Sequence, residues 1–248
     1  MKRLVAFDLD GTLAESKQAL EPDMAGLLAD LAGQVAVAVI SGGDWPQFEK
    51  QIIARLPQDA DLSRLFIMPT TGTKLYRLQA GGWTRIYADI FTTEERDSII
   101  AALDDASRQT GQSEEKTWGQ QIEDRGSQIT FSALGQEAPI DAKKAWDPDF
   151  AKRKRMQAIV QGQLTGFAIN VGGSTSIDIT REGTDKASAM RALAEHSGIA
   201  TQDMLFLGDA IYPGGNDYAV KAAGIDTLTV RDPAQTMTAI AAMLAFLG

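Results

Sequence analysis

The chain lacks cysteine entirely and contains a single histidine, His196, in 248 residues. Without thiols it forms no disulfide and carries out no thiol chemistry, which suits a reducing compartment. No apolar run approaches the ~20 residues needed to cross a bilayer. The short apolar run Leu4–Phe7 ends in acidic residues and does not have the pattern of a signal peptide. We therefore expect a cytoplasmic protein with no membrane partner.

Basic residues are also scarce relative to acidic ones. The chain has 24 Lys and Arg against 33 Asp and Glu, a formal net charge of −9. This balance argues against a nucleic-acid backbone or an anionic membrane as the main partner. A small anionic substrate remains open, provided that its site is locally positive. The length allows one large α/β domain or two smaller ones.

The first third of the chain alternates buried strands with helices. Leu4–Phe7, Val35–Ile40 and Leu65–Met68 are continuous apolar runs, as expected of strands that are covered on both faces. A helix is predicted from Pro22, and a second one from Asp44 as its N-cap. This βαβαβ order predicts an α/β fold with a doubly wound parallel sheet.

The middle of the chain has a different pattern. A hairpin around Gly81-Gly82 precedes a helix from about Thr93, and later strands alternate apolar and polar residues. Such alternation is typical of an antiparallel sheet with one wet face. Trp146-Asp147-Pro148 indicates a helix start. We expect an inserted α+β cap domain over 84–182 and a core domain made of 1–83 and 183–248, because the α/β pattern returns from Thr184.

The segment Asp8-Leu9-Asp10-Gly11-Thr12 is the strongest candidate for chemistry. A buried strand presents two carboxylates one residue apart, which is costly unless a cation or a reaction uses them. A carboxylate that attacks a phosphate dianion needs a bridging cation, and Mg²⁺ can supply it. The second acid can then protonate the leaving oxygen. A solvated loop and an EF-hand calcium loop are the alternatives, but the third acid of the calcium loop is missing and a strand precedes.

Three further segments end strands or begin helices. Ser41-Gly42-Gly43 offers a hydroxyl and backbone amides for an anion, although any strand-to-helix turn favours such residues. Lys186 is predicted in the first turn of a helix, where the dipole disfavours a cation unless an anion faces it, and a solvated lysine is the commoner case. Asp209 follows another apolar strand, with Asp217 after a glycine pair. In open α/β sheets, ligands collect at this carboxyl edge.

Taken together, these motifs resemble those of the haloacid-dehalogenase superfamily, specifically its type IIB capped sugar-phosphate phosphatases. The resemblance implies that Asp8 is the nucleophile, Asp10 the acid/base and Lys186 the neutralising lysine. It also implies Mg²⁺ held by the Asp8 side chain, the Asp10 carbonyl and Asp209, with support from Asn216 and Asp217. The residues expected to contact the phosphate are Gly11, Ser41, Gly42 and Lys186.

Later motifs are similar to those of eukaryotic-type phosphomannomutases. They include Gly172-Gly173-Ser174-Thr175-Ser176-Ile177-Asp178 and Pro213-Gly214-Gly215-Asn216-Asp217. In that family Ser176 and Asp178 would contact the sugar, and cap arginines would hold the distal phosphate of a bisphosphorylated hexose. Arg125 matches the first of these arginines. Gln136, Lys143 and Val171 stand where others are expected, and Gln is uncharged while Lys lacks the bidentate fork.

These observations predict a Mg²⁺-dependent phosphotransferase or phosphatase that acts on a sugar phosphate or similar small metabolite through an aspartyl-phosphate. Water as the second acceptor gives a phosphatase, whereas a sugar hydroxyl gives a mutase, and the thinned arginine set favours the phosphatase. The same motifs could also belong to a non-catalytic sugar-phosphate binding protein or to a receiver-like signalling domain. Because related mutases pair through their caps, a homodimer formed through the cap is a further expectation.

Overall fold

The strands of the computed structural model, which describes residues 2–114, 116–172 and 174–247, form two sheets. They are β1 (Leu4–Phe7), β2 (Ala36–Ile40), β3 (Leu65–Met68), β4 (Lys74–Gln79), β5 (Gly82–Ala88), β6 (Ile122–Asp124), β7 (Ile129–Ser132), β8 (Phe167–Gly172), β9 (Ser176–Arg181), β10 (Met204–Gly208) and β11 (Asp226–Thr229). The α-helices are α1 (Pro22–Gln34), α2 (Trp45–Gln51), α3 (Thr93–Gln109), α4 (Ile140–Trp146), α5 (Ala151–Gln163), α6 (Lys186–Ser197), α7 (Tyr218–Ala222) and α8 (Pro233–Leu247).

The larger sheet has the order β11-β10-β1-β2-β3-β4-β5. Its first five strands in this order are parallel, and β4 and β5 continue it as an antiparallel hairpin. β1 is apolar throughout because both of its faces are buried: Val5 and Phe7 pack on the side of α1 and α8, and Leu4 and Ala6 on the side of α6 and α7. The expected doubly wound α/β architecture is thereby confirmed.

The chain divides into two compact units. The core unit comprises the chain up to Ala88 and from Asp185 onward, and the inserted unit comprises Asp89–Thr184. Both boundaries differ from the expected 84 and 182. β5 remains paired with β4 as far as Ala88, opposite Lys74, so the whole hairpin belongs to the core unit.

The inserted unit contains a four-stranded antiparallel sheet in the order β6-β7-β9-β8. Ile129, Phe131, Ile177 and Ile179 point to one face, where they form a hydrophobic core with α3 and α5. Period-two alternation places polar side chains on the opposite face.

Local capping explains where several helices begin. Thr92 and Glu95 form a capping box at α3, and Asp185 and Ser188 form one at α6. The helix start predicted at Trp146 is wrong, because Trp146 ends α4. Asp147 instead accepts hydrogen bonds from backbone amides in the first turn of α5.

Asp44 is the N-cap residue of α2, yet its side chain makes no capping hydrogen bond and pairs with Lys74. Among the residues that the structure describes, no helix is both long enough and apolar enough to cross a membrane.

Candidate active site

Three of the predicted site residues directly follow adjacent strands of the core sheet. Asp8 follows β1, Ser41 follows β2, and Asp209 follows β10. The parallel register pairs Phe7 with Val39 on one side and with Leu207 on the other. The sheet therefore brings these polar residues to one carboxyl edge, as the sequence predicted.

Three carboxylates gather at this edge. Asp8, Asp209 and Asp217 each offer an oxygen atom, and these atoms lie within 4.8 Å of one another. Asp217 is fully buried at the start of α7, and its Oδ2 accepts a hydrogen bond from the Ala210 amide at 3.1 Å. Asp217, which the sequence suggested only as a supporting residue, is thus a full member of the cluster.

Lys186 lies between two of these acids. Its Nζ is 2.6 Å from Asp8 Oδ1 and also forms an ion pair with Asp217. The lysine is 2% exposed, so the solvated lysine that is commoner at such positions is not found here. The negative charge of these two buried carboxylates stabilises a cation in the first turn of α6, where the helix dipole alone disfavours one.

Burial and charge shift the pKa values of these groups. Burial raises the pKa of Asp8 to about 6, with Lys186 opposing the shift. Burial alone would lower the pKa of Lys186, but the charges of Asp8 and Asp217 outweigh it and raise the pKa above its ordinary value. Burial, followed by the charge of Asp217, raises the pKa of Asp209. At neutral pH the site therefore holds a buried lysinium beside a mostly ionised Asp8 carboxylate.

Two glycines make room for the acidic side chains. Gly11 has a φ of 86°, and a Cβ atom there would lie 2.6 Å from Asp209 Oδ2. At Gly208 a Cβ would lie 2.2 Å from Asp217 Oδ2. These close approaches explain why strand ends that carry carboxylates also carry glycine.

Asp10 is held apart from the three-carboxylate cluster. Its Oδ1 accepts a hydrogen bond from the Lys17 backbone amide at 2.6 Å, and Lys17 has a φ of 61°. Asn216, expected to support the metal, has an exposed side chain. The resemblance assigns the backbone carbonyl of Asp10, and not its carboxylate, to the metal.

A turn that sequence reasoning missed packs beside the predicted phosphate loop. The Thr71 amide donates to the Ser41 carbonyl at 2.9 Å, and the Thr70 amide donates to the Gly43 carbonyl at 2.8 Å. Thr70 and Thr71 have φ angles of 49° and 57°, which is costly for β-branched residues. A strand followed by Thr-Thr-Gly is the only sequence signal for this turn, and it indicates no function.

The donor set fits a hard divalent cation. Mg²⁺ is bound through oxygen ligands, usually from one or two carboxylates that share it with substrate phosphate. Asp8, Asp209 and Asp217 supply such oxygens at one sheet edge, and Gly11 leaves the space that the Asp209 carboxylate fills. The residues present therefore match the expected Mg²⁺.

A second group of polar side chains lies on the inserted unit. We call it the polar face: Gln128, Thr130, Ser132, Ser176 and Asp178. Asp178 Oδ1 accepts hydrogen bonds from the Thr130 hydroxyl at 2.6 Å and from Gln128 Nε2 at 3.1 Å. The hydroxyls of Ser132 and Ser176 lie 3.0 Å apart. The sequence analysis identified Ser176 and Asp178 as candidate site residues but missed Gln128, Thr130 and Ser132. The alternation of polar and apolar residues along this segment was the only sequence signal for them.

The other residues predicted for the cap adjoin this face. Gln136 Nε2 donates to Ser132 Oγ at 3.1 Å, and Lys143 Nζ donates to the Gln136 carbonyl at 2.9 Å. Arg125 forms an ion pair with Glu123 at 2.8 Å. The local charge therefore includes carboxylates of Glu123 and Asp178 beside the two cations.

Comparison with known proteins identifies the family. Residues 24–246 match the sequence profile described as eukaryotic phosphomannomutase, which spans most of the chain. The chain belongs to the eukaryotic phosphomannomutase family. Among its curated relatives, the phosphomannomutase of Schizosaccharomyces pombe is 26% identical over 232 residues, covering 88% of this chain and 85% of that protein.

Solved structures outside the phosphomannomutases show the same fold. A C-terminally truncated IMP-nucleotidase of Plasmodium falciparum has a TM-score of 0.70 and 14% identity, covering 100% of this chain and 72% of that one. The trehalose-6-phosphate phosphatase of Aspergillus fumigatus has a TM-score of 0.60 and 15% identity, covering 98% of this chain and 93% of that one. These likenesses support the haloacid-dehalogenase-like fold expected from the sequence. Membership of the phosphomannomutase family indicates an enzyme that acts on phosphorylated substrates.

Proposed function

We propose that this protein is a Mg²⁺-dependent phosphatase that hydrolyses a sugar monophosphate, or a similar small phosphorylated metabolite, through an aspartyl-phosphate at Asp8. The observation that carries the proposal is the ion pair of Asp8 with the buried Lys186, in a cluster of carboxylates at the carboxyl edge of the sheet. Buried charges of this density are costly unless they serve a reaction.

In the proposed reaction, a carboxylate oxygen of Asp8 attacks phosphorus while the bond between phosphorus and the sugar oxygen breaks. Asp10 donates a proton to that leaving oxygen. Water then attacks the phosphorus of the acyl phosphate, Asp10 takes up a proton, and inorganic phosphate leaves with Asp8 regenerated. With its pKa at about 6, Asp8 is mostly ionised at neutral pH, as a nucleophile must be.

Positive charge at the phosphate is needed throughout, because an anion attacks a dianion. The Lys186 ammonium, and hydrogen bonds from the loop at Ser41 and Gly42, would stabilise the charge on the transferred group. Mg²⁺ bound by Asp8, the Asp10 carbonyl and Asp209 would neutralise that charge further. Asp217 would keep Lys186 in place, since it shares the ammonium with Asp8.

We propose that the sugar hydroxyls bind the polar face, with Arg125, Gln136 and Lys143 at its margin. Ser176 and Asp178 resemble the family's sugar-contacting residues, and hydroxyls and carboxylates are the usual partners of sugar hydroxyls. Gln136 stands where the resemblance expects an arginine for a second phosphate. Its amide is neutral and donates to Ser132, which is why we favour a monophosphate over a bisphosphate.

A phosphomannomutase is the second candidate, and family membership favours it. The test supplies mannose 1-phosphate with a hexose bisphosphate activator and follows free phosphate and mannose 6-phosphate separately. Phosphate release faster than isomerisation supports the phosphatase. Isomerisation many times faster than phosphate release would show that a sugar hydroxyl, not water, is the acceptor.

The variant Asp8→Asn separates an enzyme from a sugar-phosphate binding protein. When the wild type is quenched during turnover, we expect mass spectrometry to find a peptide phosphorylated at residue 8. Asp8→Asn should abolish turnover and lack this phosphorylated peptide. A wild type that turns over no phosphate ester with Mg²⁺, together with an Asp8→Asn variant that binds ligands equally well, would identify a binding protein instead.

A further inference from the structure

The β8–β9 hairpin of the inserted unit carries both residues that resemble the sugar contacts of the family. Gly172, the last residue of β8, pairs with Ser176, and Asn170 pairs with Asp178. The positions of Ser176 and Asp178 therefore depend on how this hairpin is held. On the side of β7, the Thr130 hydroxyl donates a hydrogen bond to Asp178, and the Ser132 and Ser176 hydroxyls share a hydrogen bond. These contacts hold the side chains of Asp178 and Ser176 in place.

Gly172 lies against the carboxylate of Asp178. A Cβ atom at this position would be 2.3 Å from Asp178 Oδ2 and 3.3 Å from its Cγ. Gly172 thus leaves the volume that the carboxylate occupies. Any shift of the Gly172 backbone changes the space available to Asp178.

Arg153 on α5 forms a hydrogen bond with the Gly172 backbone. Its Nη1 donates to the Gly172 carbonyl at 3.3 Å, while its Nη2 donates to the Asp147 carbonyl at 3.0 Å and its Nε to Asp147 Oδ2 at 2.8 Å. The Arg153 and Asp147 side chains are 3% and 0% exposed. A buried guanidinium with several fixed partners has one geometry, so it transmits that geometry to the hairpin.

Asp147 is itself held in place. Its two carboxylate oxygens accept hydrogen bonds from the backbone amides of Lys152 and Arg153 at the start of α5. Hydrogen bonds from Arg153 and from these amides lower the pKa of Asp147 despite its burial. The arginine is therefore anchored on a rigid helix terminus.

We infer that Arg153 is a positioning residue for substrate selection: it fixes the Gly172 backbone and, through it, the Asp178 carboxylate and Ser176. This inference rests on the proposed function, because it takes the polar face as the sugar-binding surface. Arg153 touches no reacting atom in this scheme. It acts through the hairpin, so we expect its effect to depend on whether the substrate has a sugar.

The test compares two esters in each variant: the mannose or glucose phosphate that the wild type hydrolyses fastest, and phenyl phosphate, which has no sugar hydroxyls. Arg153→Lys keeps the charge opposite Asp147 but loses the fork that reaches Gly172. We expect its KM for the hexose phosphate to rise about tenfold, the size of effect seen when outer-shell partners of a site are removed. The kcat for that ester and the kcat/KM for phenyl phosphate should stay close to their wild-type values.

Gly172→Ala is the second variant, and it leaves the ion pair intact. The added methyl group would push the Asp178 carboxylate aside, so the same selective rise in KM is expected even if Arg153→Lys does not fold. Ile99→Val, which removes one buried methyl group from the core of the same unit, is the control and should keep the wild-type ratio of the two esters.

Equal losses on both esters in Arg153→Lys and Gly172→Ala would overturn the inference, because they would indicate a purely structural role. An unchanged KM for the hexose phosphate in both variants would overturn it as well, while leaving the proposed function intact. A wild type that hydrolyses phenyl phosphate but no hexose phosphate would instead overturn the proposed substrate class, and the inference with it.

Discussion

Replacing Lys186 by methionine is the most informative perturbation of the site, because one ammonium serves two buried carboxylates. At an effective dielectric constant of about 20, a pair of unit charges as close as Lys186 Nζ and Asp8 Oδ1, 2.6 Å apart, attracts by about 6 kcal/mol. Desolvation of both groups offsets part of this attraction. Removing one partner of a buried ion pair typically costs about 3–5 kcal/mol of folding free energy.

The expected result for Lys186→Met is therefore a loss of about 3–5 kcal/mol in the free energy of urea-induced unfolding at neutral pH. Without the ammonium, the pKa of Asp8 must rise further above its unfolded value. The penalty should then be largest at neutral pH and shrink as the pH falls through that raised pKa, since a protonated carboxyl needs no cation. Turnover of a phosphate ester with Mg²⁺ should fall by at least about 100-fold.

Lys74→Met is the matched control. Lys74 is also a buried lysine, with its Nζ 2.6 Å from Asp44, but Asp44 is 23% exposed. Within the described part of the chain, Lys74 pairs with one carboxylate. We expect a smaller loss of stability, about 1–3 kcal/mol, and a much smaller loss of activity. A Lys186→Met protein that is as stable and as active as Lys74→Met would refute the assignment of Lys186 to the centre of the site.

Three further outcomes follow from local geometry. Gly11→Ala adds backbone strain of about 1–3 kcal/mol and displaces Asp209, so the Mg²⁺ concentration for half-maximal activity should rise. Gly224 has a φ of 77° and open space around it, so Gly224→Ala should lose stability without changing that Mg²⁺ concentration. Asp10→Asn keeps an oxygen that can accept the hydrogen bond from the Lys17 backbone amide, so the free energy of unfolding should be unchanged. The kcat should fall by about 10²–10⁴-fold, because Asn cannot transfer a proton. An unchanged kcat would exclude an acid/base role. Because the folded-state pKa of Asp147 is lowered, its ionised form stabilises the protein above the unfolded pKa of 3.8. The difference in unfolding free energy between wild type and Asp147→Asn should therefore be constant near neutrality and shrink as the pH falls below that value, and a difference that grows in acid would contradict this.

Local patterns were sufficient to predict strands in both units. The apolar run Leu4–Phe7 forms β1 at the predicted residues, and the alternating residues near Ser176 form β9 of an antiparallel sheet. Both predictions depend on side-chain periodicity, which is a property of adjacent residues. The helix start at Trp146 was wrong, because nothing local distinguishes a residue that ends α4 from one that begins α5.

The candidate site was predictable only in part. Asp8 and Asp209 could be recognised because each directly follows an apolar strand. The turn at Thr70 and Thr71 was missed because its left-handed backbone is maintained by contacts with the Ser41 loop, which lies far away in the sequence. The substrate contacts predicted for the residues of the inserted unit remain predictions: Arg125, Gln136, Lys143, Ser176 and Asp178.

By itself, the sequence determined the fold class, the family and the residues that meet at the carboxyl edge of the sheet, because apolar periodicity and strand-end motifs are encoded in contiguous residues. Only the tertiary structure decided that Lys186 is buried between Asp8 and Asp217, and that Arg153 reaches Gly172. The burial of a charge and the partners that stabilise it depend on segments distant in the chain, and the cost of desolvation is offset only where the fold brings those segments together.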